Sequence, residues 1–224
     1  MKLKKRLLRI ESMVETGYDH IWDCCCDHGL LGAALMSSGK APNIHFVDIV
    51  PTLMDKLELR LKQRFPANLN SHWYTHCIDV ATLPLNEFGG RHLVIIAGVG
   101  GELTAQLCQA ISEANQDLEI DFLLCPVYQQ FTLRNTLSKL GYGMKNESLV
   151  EDNKRIYEVL LASKGSSQPI SAVGCKLWQS ESDQQALIAE KYLSLTLNHY
   201  RRLQRSNVEA TKAVQAYASV TLTQ

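Results

Sequence analysis

The sequence predicts an α/β fold: an open, mostly parallel sheet with helices on both faces, ending in an antiparallel hairpin and followed by a small helical hairpin. Three observations carry this. Short apolar runs alternate with stretches of helical period as far as Leu140. Two of those runs, Ile21-Trp22 and Ile44-His45-Phe46-Val47, end in acids, Asp23 and Asp48, separated by about one βα unit. The last two runs, Met144–Val150 and Arg155–Ala162, are divided only by Glu151-Asp152-Asn153-Lys154, the spacing of a hairpin.

Each element follows in order. Leu3, Leu7, Ile10 and Val14 make one face of a short amphipathic helix over Leu3–Val14. Strands are expected at His20–Cys25, Ile44–Asp48, His72–Cys77, His92–Ala97 and Asp121–Cys125. Helices are expected at Leu30–Ser38, Thr52–Phe65, Gly101–Ser112 and Phe131–Leu140. Pro51 suits a first helical turn, where its missing N–H costs little. Gly141 and Gly143 end the last of these helices. Ser163 to Gly174, rich in Ser, Gly and Pro, reads as linker. Beyond it, Asp183–Arg205 and Val208–Val220 read as two helices turning at Ser206-Asn207 and packing antiparallel. The expected organisation is a domain over 1–163, a linker over 164–182 and a helical domain over 183–224.

The chain has 224 residues, is 46% hydrophobic and carries no formal net charge, so it can bury a sizeable core and is not uniformly basic. Cations cluster instead, as Lys2, Lys4, Lys5, Arg6 and Arg9 and as Arg201, Arg202 and Arg205. No apolar run reaches membrane-spanning length, and Met1-Lys2-Leu3-Lys4-Lys5-Arg6 lacks the apolar stretch of a signal peptide. Seven cysteines, an odd number in mostly apolar surroundings, fit reduced thiols in a cytoplasm. No membrane partner is expected.

The richest stretch is Asp23-Cys24-Cys25-Cys26-Asp27-His28-Gly29, a strand end running through a short loop into a helix. With Asp48 it implies a nucleotide-like cofactor, because an acid at the second strand's end can accept both ribose hydroxyl hydrogens. A dinucleotide needs glycines where backbone approaches a pyrophosphate, and Cys25 and Asp27 occupy two of those three positions. Asp27 would repel phosphate but could face the cationic end of S-adenosylmethionine. That cofactor is therefore expected, with Asp23, Cys25, Gly29 and Asp48 around it. Asp79, at the third strand's exit, can reach an adenine amino group, or can simply cap a turn. Ala97-Gly98-Val99-Gly100-Gly101 is a second strand-to-helix turn, and Ala97, Gly98 and Gly100 are expected where backbone comes close to the ligand. The triple cysteine raises zinc, but neighbouring strand residues point to opposite faces, so no metal is expected. His28 beside Asp27 is either an acid/base partner or a structural histidine orienting the loop.

These residues together resemble the bacterial TrmK-type tRNA (adenine-22-N1) methyltransferases, whose sheet is the Rossmann-like class I methyltransferase sheet with a terminal antiparallel hairpin. Leu3-Lys4-Lys5-Arg6-Leu7 resembles that family's Leu-x-x-Arg-Leu opening, and Asp23-x-x-x-Asp27-His28 its Asp-x-Gly-Ser-Asp-His loop. Ala97-Gly98-Val99-Gly100-Gly101 is similar to its Ala-Gly-Met-Gly-Gly, Glu147 to Glu158 to its Glu…Tyr-Glu ending, and the helical tail to its coiled-coil domain. Three positions depart: Cys25 stands for the loop glycine, Cys26 for the serine, and Cys125-Pro126-Val127 for Gln-Pro-Asn. The resemblance implies methyl transfer from S-adenosylmethionine to N1 of an adenine in tRNA, with tRNA as partner. Asp27 and His28 are then the candidate catalytic pair. A methyltransferase with another substrate, and a cofactor-binding RNA module without catalysis, are the alternatives.

Overall fold

A computed structural model of the chain describes residues 3–65, 72–204 and 207–223. Lys2, Arg205 and Ser206 lie outside the described residues. Five strands run parallel: β1 (His20–Cys24), β2 (Asn43–Asp48), β3 (His72–Cys77), β4 (His92–Ala97) and β5 (Ile120–Cys125). They join a terminal hairpin, β6 (Gly143–Asp152) and β7 (Arg155–Ser163), whose second strand lies antiparallel to β5. The seven-stranded order is β3-β2-β1-β4-β5-β7-β6. Strand β4 shows why the sheet is central. Leu93 and Ile95 enter one core, Val94 and Ile96 the other, as expected of a strand buried on both faces.

Helices α1 (Lys5–Met13), α2 (Leu30–Ser37) and α3 (Pro51–Arg64) supply Ile10, Leu31 and Leu57 to the first core. Helices α4 (Gly101–Ala114) and α5 (Gln130–Lys139) supply Leu107 and Leu133 to the second. Helix α3 starts at Pro51 itself. Strand β1, expected through Cys25, stops at Cys24, because the backbone turns left-handed at Cys25 with φ 54°. Strand alternation therefore does not govern the second and third thiols. Cys24 and Cys25 both pack on the second core and Cys26 on the first.

The tail helices, α6 (Asp183–Leu203) and α7 (Val208–Ala218), form a third core with Phe131, Leu177 and Trp178. A buried ionic cluster fixes them. Arg134 of α5, fully buried, donates from Nη2 to Glu147 and from Nε to Glu158, each at 2.5 Å. Tyr192 of α6 donates its hydroxyl to Glu158 at 3.1 Å. Glu147 accepts the backbone N–H groups of Cys175 and Lys176, each at 2.6 Å. The Ser, Gly and Pro stretch is thereby bound to the hairpin, and Pro169 also bridges to Gly143.

A histidine ladder, buried except at half-buried His76, crosses the sheet on the second-core side. His20 Nδ1 meets His45 Nε2 and His45 Nδ1 meets His76 Nε2, each at 3.0 Å. Trp22 donates to His92 at 3.2 Å and stacks on His45 with ring centroids 3.8 Å apart. Burial pushes all four imidazoles down, His45 to about 2, so the ladder is neutral.

Candidate functional site

The sheet order reverses between β1 and β4, and in open α/β sheets ligands bind outside the carboxyl ends of the strands at such a point. Here the chain leaves β1 through a loop with left-handed backbone at Cys25, Asp27 and Gly29, at φ 54°, 49° and 63°. Gly29 is dictated twice, since a Cβ there would also lie 2.5 Å from Leu57. Asp48 holds the loop in place. One oxygen accepts the Asp27 N–H at 3.0 Å and the other accepts the Val50 N–H at 3.1 Å.

Asp23 lies behind this loop, buried, and accepts the Gly32 N–H at 2.8 Å. Burial raises its carboxyl to about 7, opposed by the Gly32 hydrogen bond and reinforced by the nearby charge of Asp48. Asp79 is exposed and accepts the Ala81 N–H at 2.9 Å, capping the short turn Val80–Thr82. The Cys25 thiol is pushed up to about 11, by its own burial first and then by Asp48, Asp23 and Asp79. One neutral thiol thus lies in the field of three carboxylates. Cys24 and Cys26 are likewise raised by burial. Asp27 and His28 project to solvent beyond the loop, with Oδ1 and Nδ1 3.5 Å apart.

The turn after β4 forms the opposite wall. Ala97 is half-buried, and Gly98 turns at φ 89° while donating to the Cys125 carbonyl at 3.1 Å. A Cβ on Gly98 would meet the Arg6 guanidinium at 3.8 Å. That guanidinium also stacks on the Tyr157 ring, 5.0 Å from its centroid. Gly100 has a different reason to be glycine: a Cβ there would sit 2.8 Å from Tyr128. The loop carrying Tyr128 is tied to this turn, Val127 donating to Val99 at 2.9 Å and Gly101 to Tyr128 at 2.8 Å. Gly98 therefore opens onto a cation, whereas Gly100 is covered by an aromatic ring.

The structure gathers Asp23, Cys25, Asp27, His28, Gly29, Asp48 and Asp79 along the ends of β1 to β3, and Ala97, Gly98 and Gly100 at the end of β4. Sequence reasoning placed Arg6 in a surface cluster and missed its approach to Gly98. The signal was present, for Arg6 falls four residues before buried Ile10 and so shares its helix face. Tyr128 was also missed, because nothing about a lone tyrosine past a strand end marks it. Lys5 and Arg9 are exposed on α1 and Lys4 just before it, as are Arg201 and Arg202 on α6. Among the described residues, no group of three or more His, Cys, Asp or Glu could hold a metal ion, and no helix is long and apolar enough to cross a membrane.

A seven-stranded sheet of this order, with acids at the ends of its first strands, is the architecture of nucleotide-cofactor methyltransferases, and the chain belongs to the methyltransferase-domain family, whose model matches residues 3–160. It is similar to the tRNA (adenine(22)-N(1))-methyltransferase of Bacillus subtilis strain 168, at 28% identity over 166 residues, 74% of this chain and 66% of that protein. Two of the solved structures that share its fold are TrmK proteins. The B. subtilis m1A22 tRNA methyltransferase TrmK has a TM-score of 0.70 at 21% identity, over 97% of this chain and 94% of the other. M. capricolum TrmK, in complex with S-adenosyl-homocysteine, has a TM-score of 0.73 at 16% identity, over 97% of both chains.

Proposed function

We propose that this chain transfers a methyl group from S-adenosylmethionine to N1 of an adenine in tRNA, in the cytoplasm. The observation that carries the cofactor is the set of acids at the ends of β1, β2 and β3. Among the described residues Asp48 and Asp79 bond backbone N–H groups and meet no cation, so their negative field is left for a ligand, while buried Asp23 accepts the Gly32 N–H behind them. This donor set fits a cation with ribose hydroxyls and does not fit a pyrophosphate. Asp48 would hold the ribose and Asp79 the adenine amino group. Arg6, beside Gly98, can take the carboxylate of the cofactor's amino-acid end.

When bound, the cofactor supplies an electrophilic methyl group on a positively charged sulfur. Adenine N1 carries its own lone pair, so the protein needs no strong base. Its task is to hold the base in line in a water-poor pocket, after that base has left its stack. Methylation makes the base positive, and a carboxylate at the mouth stabilises that charge as it develops. We assign this role to Asp27, with His28, 3.5 Å away, to orient it. The similarity to named tRNA (adenine-N1) methyltransferases supports the substrate, and the exposed cations of α1 and α6 supply phosphate contacts. The test is label transfer from the methyl-labelled cofactor to total tRNA, followed by nucleoside mapping. Recovery of 1-methyladenosine is the expected result. Binding of tRNA without label transfer would favour the non-catalytic module instead.

A further inference from the structure

Between the loop after β5 and helix α6 lies a cavity of about 210 Å³, outside the acid-lined cofactor region. Its walls include Val127, Tyr128 and Gln129 on one side and Thr196 and His199 on the other. Tyr128 is 54% exposed, unusual for a ring so firmly held. The Gly100 backbone supports it, and the hydrogen bonds to Val99 and Gly101 fix its loop. Gln129 adds a latch, taking φ 62° and donating its side-chain amide to Glu102 at 3.2 Å. An aromatic face fixed in advance loses little entropy when something stacks on it. Opposite, α6 presents a hydroxyl and an imidazole, followed at once by the exposed cations Arg201 and Arg202. An aromatic platform, two small polar groups and adjacent positive charge match the parts of a nucleotide: base face, base edge and phosphate.

We propose that Tyr128 is the stacking platform for an unpaired RNA base next to the methylated one, and that Thr196 and His199 hold that base's edge. The inference rests on the tRNA reading above. Its location supports it: Val127, one residue earlier, pairs with Val99 in the turn that walls the cofactor region. An adenine drawn into the catalytic pocket loses its stacked neighbours, and a platform one residue away restores one of those contacts. The seam also gives the tail a role in RNA recognition beyond charge.

The experiment measures tRNA affinity at fixed salt and S-adenosylhomocysteine affinity by calorimetry, for Tyr128→Ala, Tyr128→Phe and His199→Ala in the full chain. Tyr128→Ala should weaken tRNA binding about 5- to 150-fold, the range for one lost stack. Tyr128→Phe keeps the ring and should stay within about twofold of the parent, since stacking needs only the π-face. His199→Ala should weaken tRNA binding by less than Tyr128→Ala. Unchanged S-adenosylhomocysteine affinity in all three shows that the fold and cofactor region are intact. If Tyr128→Ala binds tRNA like the parent, or Tyr128→Phe falls as far as Tyr128→Ala, the stacking site is wrong while the methyltransferase reading stands. A parent chain that binds no tRNA overturns both.

Discussion

The chain treats acids in two opposite ways. In the seam between α5, the hairpin and α6, Glu147 and Glu158 are buried around a fully buried Arg134, and further hydrogen bonds engage their oxygens. At the ends of β1, β2 and β3, Asp23, Asp48 and Asp79 bond only backbone N–H groups among the described residues, and Asp27 extends into solvent beside His28. The seam acids share one cation, have their oxygens taken up by hydrogen bonds, and hold architecture together. The strand-end acids are electrically open, which stability alone would not favour. A negative field left uncompensated at a sheet's ligand-binding edge is what a cationic cofactor requires.

Arg134→Met should break the closed side most severely. It leaves two carboxylates buried without their cation, at a cost of about 3–5 kcal/mol. Because Glu158 also holds Tyr192, the tail should loosen first. Chemical denaturation would show a lowered midpoint, and hydrogen exchange would show α6 losing protection before the sheet does. A midpoint within experimental error of the parent would mean that the ionic cluster does not secure the tail.

Asp23 links the open side to pH. Its folded-state carboxyl lies near 7, above the ordinary aspartate value of 3.8, so the folded chain holds this proton more tightly than the unfolded one. Its contribution is fully present below pH 3.8 and is lost as pH rises to about 7. A shift of this size bounds the effect at roughly 4 kcal/mol. The histidine ladder has the opposite sign: its imidazoles are depressed, so its stability is whole above pH 6.5 and falls in acid. Asp23→Asn should remove the first slope and leave the second, so that stability rises more steeply between pH 4 and 7 than in the parent. Denaturation midpoints across that range would check this, and a variant profile matching the parent's would show that Asp23 ionises normally.

Asp27→Asn keeps the shape of an open-side acid and removes its charge. Turnover should fall about 10²- to 10³-fold, the usual cost of losing one preorganised electrostatic partner. Stability should stay within about 0.5 kcal/mol, because the side chain is exposed and asparagine tolerates left-handed backbone. Single-turnover kinetics with saturating tRNA would isolate the step, and near-parental turnover would remove Asp27 from the mechanism. Asp48→Ala is the smaller binding counterpart. Cofactor affinity should weaken by about 1.5–3 kcal/mol for each charged hydrogen bond lost. Calorimetry showing no loss would mean that Asp48 serves only as the splint between Asp27 and Val50.

The open side was far more legible in the sequence than the closed one. Apolar runs ending in Asp23 and Asp48 declare both the strand ends and the acids, because an acid beyond a buried run has little to do except face outward. The closed side gives no such local signal. Arg134 sits in a helix whose period looks ordinary, and its partners come from a hairpin and a tail far along the chain. Only the fold brings them together, as it brings Cys175 and Lys176, just past the Ser, Gly and Pro stretch, to Glu147. The histidine ladder was hidden for a related reason. His20, His45, His76 and His92 each fit a strand pattern singly, and the parallel register alone makes them neighbours.

The smallest expected effect falls on Cys25, where the open side carries backbone strain. A non-glycine residue at φ 54° costs roughly 1–2 kcal/mol, and glycine would relieve it. Glycine's extra freedom in the unfolded chain offsets about 0.5–1 kcal/mol of that gain. Cys25→Gly should therefore stabilise the chain by at most about 1.5 kcal/mol, with cofactor affinity equal or tighter because the loop opens. Cys25→Ala isolates the cause: it removes the thiol but keeps the Cβ and the strain. If backbone strain dominates, the glycine variant melts above the alanine variant in thermal denaturation. If the thiol's packing on the second core dominates, both variants melt below the parent, and the loop's left-handed turn is then a conformation that the hydrogen bonds donated by the Asp27 and Cys26 N–H groups to Asp48 and Val47 hold at little cost.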